Sequence, residues 1–376
     1  MLAAAAPRVQ QKPRSLVALR DDRDDYSDGR AGSSEFMKSI KIISLALLLF
    51  VAGAFAGCDQ DKKASAAGAP TTTPTPAQNP PTDLTLPKLS LPADSGPLST
   101  IDSARTMQYV KEIVAFGPRP IGSANHKKVE DFILAHLKGD TIEEDAFTAD
   151  TPEGKFPARN IIAKFPGAKD GIIVIASHYD TNYPLRQTTY IGANDGASSS
   201  ALLLEFANQL REKKRDGYSI WLVWDDAEEA VKSWSDTDSL YGIRHLAEKW
   251  EGDGTLKKTK AFLLADMIGD ADLNIERDSN STPWLEAVVY EAATRLGYQS
   301  HFFSRTMTVD DDHLPFVKRG VPSADLIDFD YGYDNVFWHT PQDTVDKLSP
   351  KSLEIAGGTI LETVSILDKM EALPPK

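Results

Sequence analysis

Three short apolar runs constrain this chain more than any other feature: Ile172-Ile-Val-Ile-Ala176, Ile220-Trp-Leu-Val-Trp224 and Ala261-Phe-Leu-Leu-Ala265. Each has the length and composition of a strand buried on both faces. Residues 197–210 and 240–250, which separate them, read as helices. Further helices are expected over 102–116, 123–137, 282–296 and 350–370, and further strands over 142–147, 160–165 and 324–327. Strands alternating with helices imply a mostly parallel sheet between helical layers, an α/β fold.

In such a sheet, ligands bind beyond the carboxyl ends of the strands. The polar residues that follow each buried run are therefore the informative ones. Ser177-His178-Tyr179-Asp180 follows the first run, Asp225-Asp226-Ala227-Glu228-Glu229 the second, and Asp266-Met-Ile-Gly269 the third. A single acidic turn is often no more than a solvated one. Three successive strand ends that each present a carboxylate, one with a histidine, point to a cation. Two more segments join them: the glycine-bracketed loop Gly192-Ala-Asn-Asp195-Gly-Ala-Ser-Ser199, and Trp338-His339-Thr340. Asp195 or Ser198 could instead cap the following helix, and a lone His339 could sit on the surface. The chain has one cysteine, Cys58, so a thiolate-rich metal site and an intrachain disulfide are both excluded. Zinc accepts nitrogen and carboxylate ligands, with three protein ligands and an open position where it is catalytic. Asp195, one of the Glu228–Glu229 pair, and His339 supply such a set, and the other glutamate could then move protons. The net charge of −14 and the lack of a basic stripe argue against a nucleic-acid partner.

Residues 37–58 read as a targeting segment. Met37-Lys-Ser-Ile-Lys41 is basic, residues 42–56 are almost wholly apolar, and Ala56-Gly57-Cys58 closes the run. Charge, apolar core and small residues in that order make a secretory signal. The apolar run, about fifteen residues, is short for a bilayer core that needs ~20. The small pair before Cys58 resembles a bacterial lipobox, with Phe55 where leucine is usual. That implies a lipid anchor on Cys58 and an exported, periplasmic lipoprotein of the bacterial cell envelope. Residues 1–36 do not fit in front of a signal peptide and read as a non-native or misassigned extension. Residues 59–98, rich in Pro, Thr and Ala, read as a tether, which leaves 99–376 as the catalytic domain.

The ordered set His178-x-Asp180, Asp195, Glu228-Glu229, Asp266 and His339 resembles the zinc aminopeptidases of the M28 clan. That resemblance implies a three-layer α/β/α sandwich with a mixed, mostly parallel central sheet. A narrower likeness is to the glutaminyl-peptide cyclotransferases, or glutaminyl cyclases. It rests on Glu228-Glu229-Ala230, Trp234-Ser235, Asp238-Ser-Leu-Tyr-Gly242, Asp311-Asp312-His313-Leu-Pro-Phe316, Arg319-Gly-Val-Pro322 and Trp338-His339-Thr340. The likeness implies cyclisation of an N-terminal glutamine of a peptide or protein to pyroglutamate, with release of ammonia. It implies one zinc on Asp195, Glu229 and His339, and Glu228 as proton shuttle. Asp266 and Asp311 would form an acidic network beside Glu228, and Trp234 and Trp338 would line the substrate pocket. His178 would bind only a second metal. The alternative is an M28-type zinc aminopeptidase. Ala227 departs from the pattern, standing where a glycine usually precedes the glutamate pair.

Overall fold

The structure, a computed structural model, describes residues 85–93, 96, 100–211 and 213–375. All lie within one compact unit, Thr75–Lys376. The signal-type segment with Cys58, and most of the expected tether, lie outside the described residues. The chain runs α1 (Ser103–Val114), α2 (Ala124–His136), β1 (Ile142–Thr151), β2 (Gly154–Phe165), β3 (Gly167–His178) and α3 (Ala197–Leu210). It continues through β4 (Arg215–Asp225), α4 (Tyr241–Asp253), α5 (Thr255–Lys258), β5 (Thr259–Asp266), β6 (Ile275–Asp278) and α6 (Pro283–Arg295). It ends with β7 (Phe302–Met307), α7 (Leu314–Val317), β8 (Ser323–Ile327) and α8 (Pro350–Lys369).

Six strands form the central sheet in the order β1-β2-β4-β3-β5-β8. β4, β3, β5 and β8 are mutually parallel, while β1 and β2 add antiparallel at one edge. The sheet is therefore mixed, with its parallel part running from β4 to the β8 edge. Side chains alternate across it as strand geometry requires. Ile173, Ile175, Leu222, Trp224 and Leu263 pack into one core with residues of α1, α2, α3, α6 and α8. Val174, Val223, Phe262 and Leu264 pack on the opposite face against α4, α5 and α7. The result is a three-layer α/β/α sandwich. Each central strand is apolar on both faces because both faces are covered, which is why the three runs lack alternation.

The packed body begins earlier than position 99. Leu86, Leu89 and Leu91 lie against the larger core. Arg295 Nη2 donates to the Pro92 carbonyl, and Ser365 Oγ to that of Gly96. Proline-rich composition hid three leucines at spacings that let an extended strap cover the helical layer. β6 and β7 form a separate two-stranded parallel sheet that apolar patterning did not announce. Among the described residues, no helix is long and apolar enough to cross a membrane.

Candidate active site

In the sheet register His178 lies opposite Asp225, and Asp266 opposite Ile327, so β3, β4, β5 and β8 end along one edge. His178 and Asp266 are the last residues of β3 and β5, and Glu228 and Glu229 come just after β4. Asp195 arrives on the loop before α3. Its neighbour Gly196 adopts φ of +85°, and a Cβ there would lie 2.9 Å from both Asp180 O and His178 Cε1. Only glycine fits so close an approach. Gly196 is also the N-cap of α3, without a side-chain cap bond, and Ser198 Oγ donates to Asn194 O. Neither Asp195 nor Ser198 is spent on capping.

Asp195 bridges two imidazoles. Its Oδ1 lies 3.2 Å from His178 Nε2 and its Oδ2 3.2 Å from His339 Nε2. His339 Nε2 is also 3.1 Å from Glu229 Oε1, and His178 Nε2 is 3.3 Å from Asp266 Oδ1. Asp195, Glu229 and His339 thus offer three ligand atoms within 4.8 Å of one another, as do His178, Asp195 and Asp266. The donors are the imidazole nitrogens and carboxylate oxygens that zinc accepts. The electrostatics carry the same demand. Burial opposes the charge on His339, yet Glu229 and Asp195 push its pKa up to about 11. Burial likewise opposes His178, and Glu228, Asp180, Asp195 and Asp266 hold it well above the ordinary value. Burial would raise Asp195, but the two histidines pull it below its ordinary range. Protons on both imidazoles occupy the place a cation would take. His178 Nε2 and Asp266 Oδ1 are buried with no hydrogen-bond partner, which also suits a metal.

Other residues hold this set in place. Asn182 Nδ2 donates to Glu229 Oε2 at 2.8 Å, and Tyr190 Oη to Asp195 Oδ2 at 2.6 Å. The Asp195 loop is gripped through its backbone. The fully buried Arg119 donates to the carbonyls of Tyr179 (2.7 Å), Gly192 (2.9 Å) and Asp195 (3.2 Å), and to that of Ile191. Asp343 accepts from the amides of Asn194 (2.7 Å) and Asp195 (3.2 Å). At the end of β4, Asp226 accepts from Arg159 N (2.7 Å) and pairs with His126 Nε2 (2.6 Å). His126 is therefore part of this scaffold. Ala227, Met267 and His339 have φ of +60°, +49° and +51°. Non-glycine residues held there cost about 1 kcal/mol or more each. Strain of this kind gathers where a site fixes its ligands. It also explains the position of Ala227: the chain needs a left-handed residue there, for which glycine is the relaxed choice.

Glu228 is not among the closest metal donors. Its Oε2 lies 3.7 Å from His178 Nδ1, and its backbone amide donates to Asp180 Oδ1 at 3.2 Å. Burial pushes its carboxyl well above the ordinary range; Glu229, Asp311 and Asp180 add to this, and His178 opposes it. Asp311 is raised in the same way, by burial first and then by Asp266. Glu228, Glu229, Asp195, Asp266, Asp311 and His339 all line one cavity of about 430 Å³. Trp234 stands on its wall, 43% exposed. Trp338 lies deeper, stacked on His339 with ring centroids 4.0 Å apart and beside Phe329. All nine residues singled out from the sequence, His178 among them, thus meet at one place. His313 does not join them: it is buried on Asp278, with Nε2 3.0 Å from Oδ2.

Residues 160–364 match the model of peptidase family M28. The glutaminyl-peptide cyclotransferase of Drosophila melanogaster is 32% identical over 253 residues, covering 60% of this chain and 70% of the relative. The chain belongs to peptidase family M28, in its glutaminyl-peptide cyclotransferase branch. Among solved structures, a glutaminyl cyclase of an Acidobacteriales bacterium is 50% identical, with a TM-score of 0.71, covering 75% of this chain and 99% of that one. A Zn-dependent exopeptidase of Parabacteroides distasonis is 27% identical, with a TM-score of 0.64 over 71% of this chain and 99% of that one. The M28 match takes in Asp195, the glutamate pair, Asp266, Asp311 and His339, and Arg119 lies before it.

Proposed function

We propose that this protein is a glutaminyl-peptide cyclotransferase that converts the N-terminal glutamine of peptides or proteins to pyroglutamate and releases ammonia. The observation that carries the reading is the placement of Glu228. It is a buried carboxyl beside, rather than within, the Asp195–Glu229–His339 ligand set, in a small pocket with Trp234 and Trp338 on its walls. The similarity to glutaminyl cyclases supports the same choice.

A zinc ion on Asp195, Glu229 and His339 would supply a Lewis acid toward the γ-carbonyl oxygen of the substrate. The chain's own residues do the rest. The aromatic walls hold the glutamine side chain folded, so that its α-amine lies against the carbonyl carbon of its own γ-carboxamide; this proximity replaces a bimolecular encounter. Glu228 accepts a proton from the attacking amine as the new C–N bond forms. It returns that proton to the amide nitrogen, which leaves as ammonia when the old C–N bond breaks. Burial, and then the neighbouring carboxylates Glu229, Asp311 and Asp180, raise the proton affinity of Glu228, which suits a group that both takes up and returns a proton. No water is consumed.

One observation favours a second reading, zinc aminopeptidase: the cluster His178, Asp195 and Asp266 is complete and could take a second metal. The products separate the two. The zinc-loaded protein is expected to release ammonia from a Gln-initiated peptide without shortening it. Release of free amino acid from Leu- or Ala-initiated peptides, with no ammonia from the Gln peptide, would make it a peptidase.

A further inference from the structure

The two oxygens of Asp195 are held differently. Oδ1 faces His178 Nε2 at 3.2 Å. Oδ2 faces His339 Nε2 at 3.2 Å and also accepts the Tyr190 hydroxyl at 2.6 Å. An ionised carboxylate can only accept, so the hydroxyl is the donor. The short distance is that of a charge-assisted O–H···O bond. Glu229 is braced in another way: its Oε1 faces His339, and Asn182 donates to the other oxygen, Oε2. Of these two carboxylates, Asp195 alone carries its brace on the oxygen that faces His339.

Tyr190 is fully buried, and its ring stands edge-on to His339, with centroids 6.1 Å apart and planes at 77°. It thus meets Asp195 through its hydroxyl and His339 through its ring. Its backbone is also fixed. The Tyr190 amide donates to Thr188 Oγ1 at 3.1 Å, and Arg119 takes the carbonyls of Ile191 and Gly192. The hydroxyl therefore reaches Asp195, five residues on, from an anchored base. Once His339 Nε2 gives its lone pair to zinc, it cannot donate to Asp195. Among the described residues, the Tyr190 hydroxyl is then the one donor left on Oδ2.

We propose that Tyr190 is a positioning residue of the zinc site: its hydroxyl fixes the Asp195 carboxylate and leaves a lone pair of Oδ2 directed at the metal. This rests on the zinc-enzyme reading above. A hydrogen bond on the coordinating oxygen also draws charge from it, so the bound ion keeps more of its own charge for polarising a carbonyl.

The test removes the hydroxyl and keeps the ring. Tyr190→Phe is expected to weaken zinc binding, read by competition with a chelator, about 10- to 100-fold, the usual scale for a group that holds a metal ligand. It should also shift the visible d–d bands of the cobalt(II)-loaded protein. Tyr331→Phe is the control: it loses a hydroxyl that donates to Asp343 Oδ1 at 2.8 Å, away from the ligand carboxylate. That variant is expected to lower the thermal midpoint and leave the cobalt bands in place. Should Tyr190→Phe not fold, Tyr190→Met, which also lacks the hydroxyl, gives the same two readouts. Wild-type zinc affinity and cobalt bands without the Tyr190 hydroxyl overturn the proposal, and so do equal shifts in Tyr331→Phe. A wild type that binds no zinc, or binds it as tightly after His339→Ala, overturns the zinc-enzyme reading itself and the role of Tyr190 with it.

Discussion

Glu228 and Glu229 are neighbours in sequence with different surroundings. Glu229 lies 3.1 Å from His339 and is held by Asn182, whereas Glu228 faces His178, Asp311 and the cavity. The left-handed turn at Ala227 lets consecutive side chains serve different tasks. Glu228→Gln keeps the shape and removes the proton acceptor. It is expected to retain bound zinc and lose activity by about 10²-fold or more, the usual scale for a general acid–base. His339→Ala should instead lose the metal. Metal analysis beside turnover measures both, and near wild-type turnover in Glu228→Gln would end the proton-shuttle assignment.

Between strand ends and helices, the loops decide the site. The Asp195 loop is clamped from both sides of its backbone, by Arg119 on the carbonyls and Asp343 on the amides. Arg119 is a buried cation, its pKa lowered by that burial. Replacing it with methionine leaves several buried carbonyls unpaired, at about 1–3 kcal/mol each. Arg119→Met is expected to lower the thermal midpoint and weaken zinc binding together, with Arg119→Lys recovering only part of each. A variant with wild-type zinc affinity would show that the loop holds its shape without Arg119.

The elements were legible in sequence to different degrees, for physical reasons. Residues 197–210 form a helix with the expected bounds: Gly196, at φ of +85°, precedes it, and Arg211 leaves the helical conformation at its end. The three central strands were visible as apolar runs, since both faces are buried. β6 and β7 were not, because Ile275-Glu-Arg-Asp278 and Phe302-Phe-Ser-Arg-Thr-Met307 interleave charge with apolar residues and pair only with each other. The ligand candidates stood out because they follow strand ends. Their supports did not: Arg119 acts on Asp195 across 76 positions, and His126 on Asp226 across 100. Contacts at that separation leave no local pattern.

On the scale of the whole molecule, two helical layers close both faces of the sheet and leave its carboxyl edge as the open side. The acidity of the chain has a local counterpart there. Five buried carboxylates, Asp195, Glu228, Glu229, Asp266 and Asp311, line one cavity with His339, and His178 lies against three of them; such a concentration of charge is stable only with protons or a cation among it. Under the proposed function a single zinc, beside Glu228, suffices for cyclisation. The direct test is to strip the protein of metal and restore zinc stepwise, while recording ammonia and free amino acid from a Gln-initiated peptide. Ammonia release that saturates at one equivalent of zinc per chain, with the peptide length unchanged, is the predicted result. Activity that appears only at two equivalents, or that frees an amino acid, would contradict it.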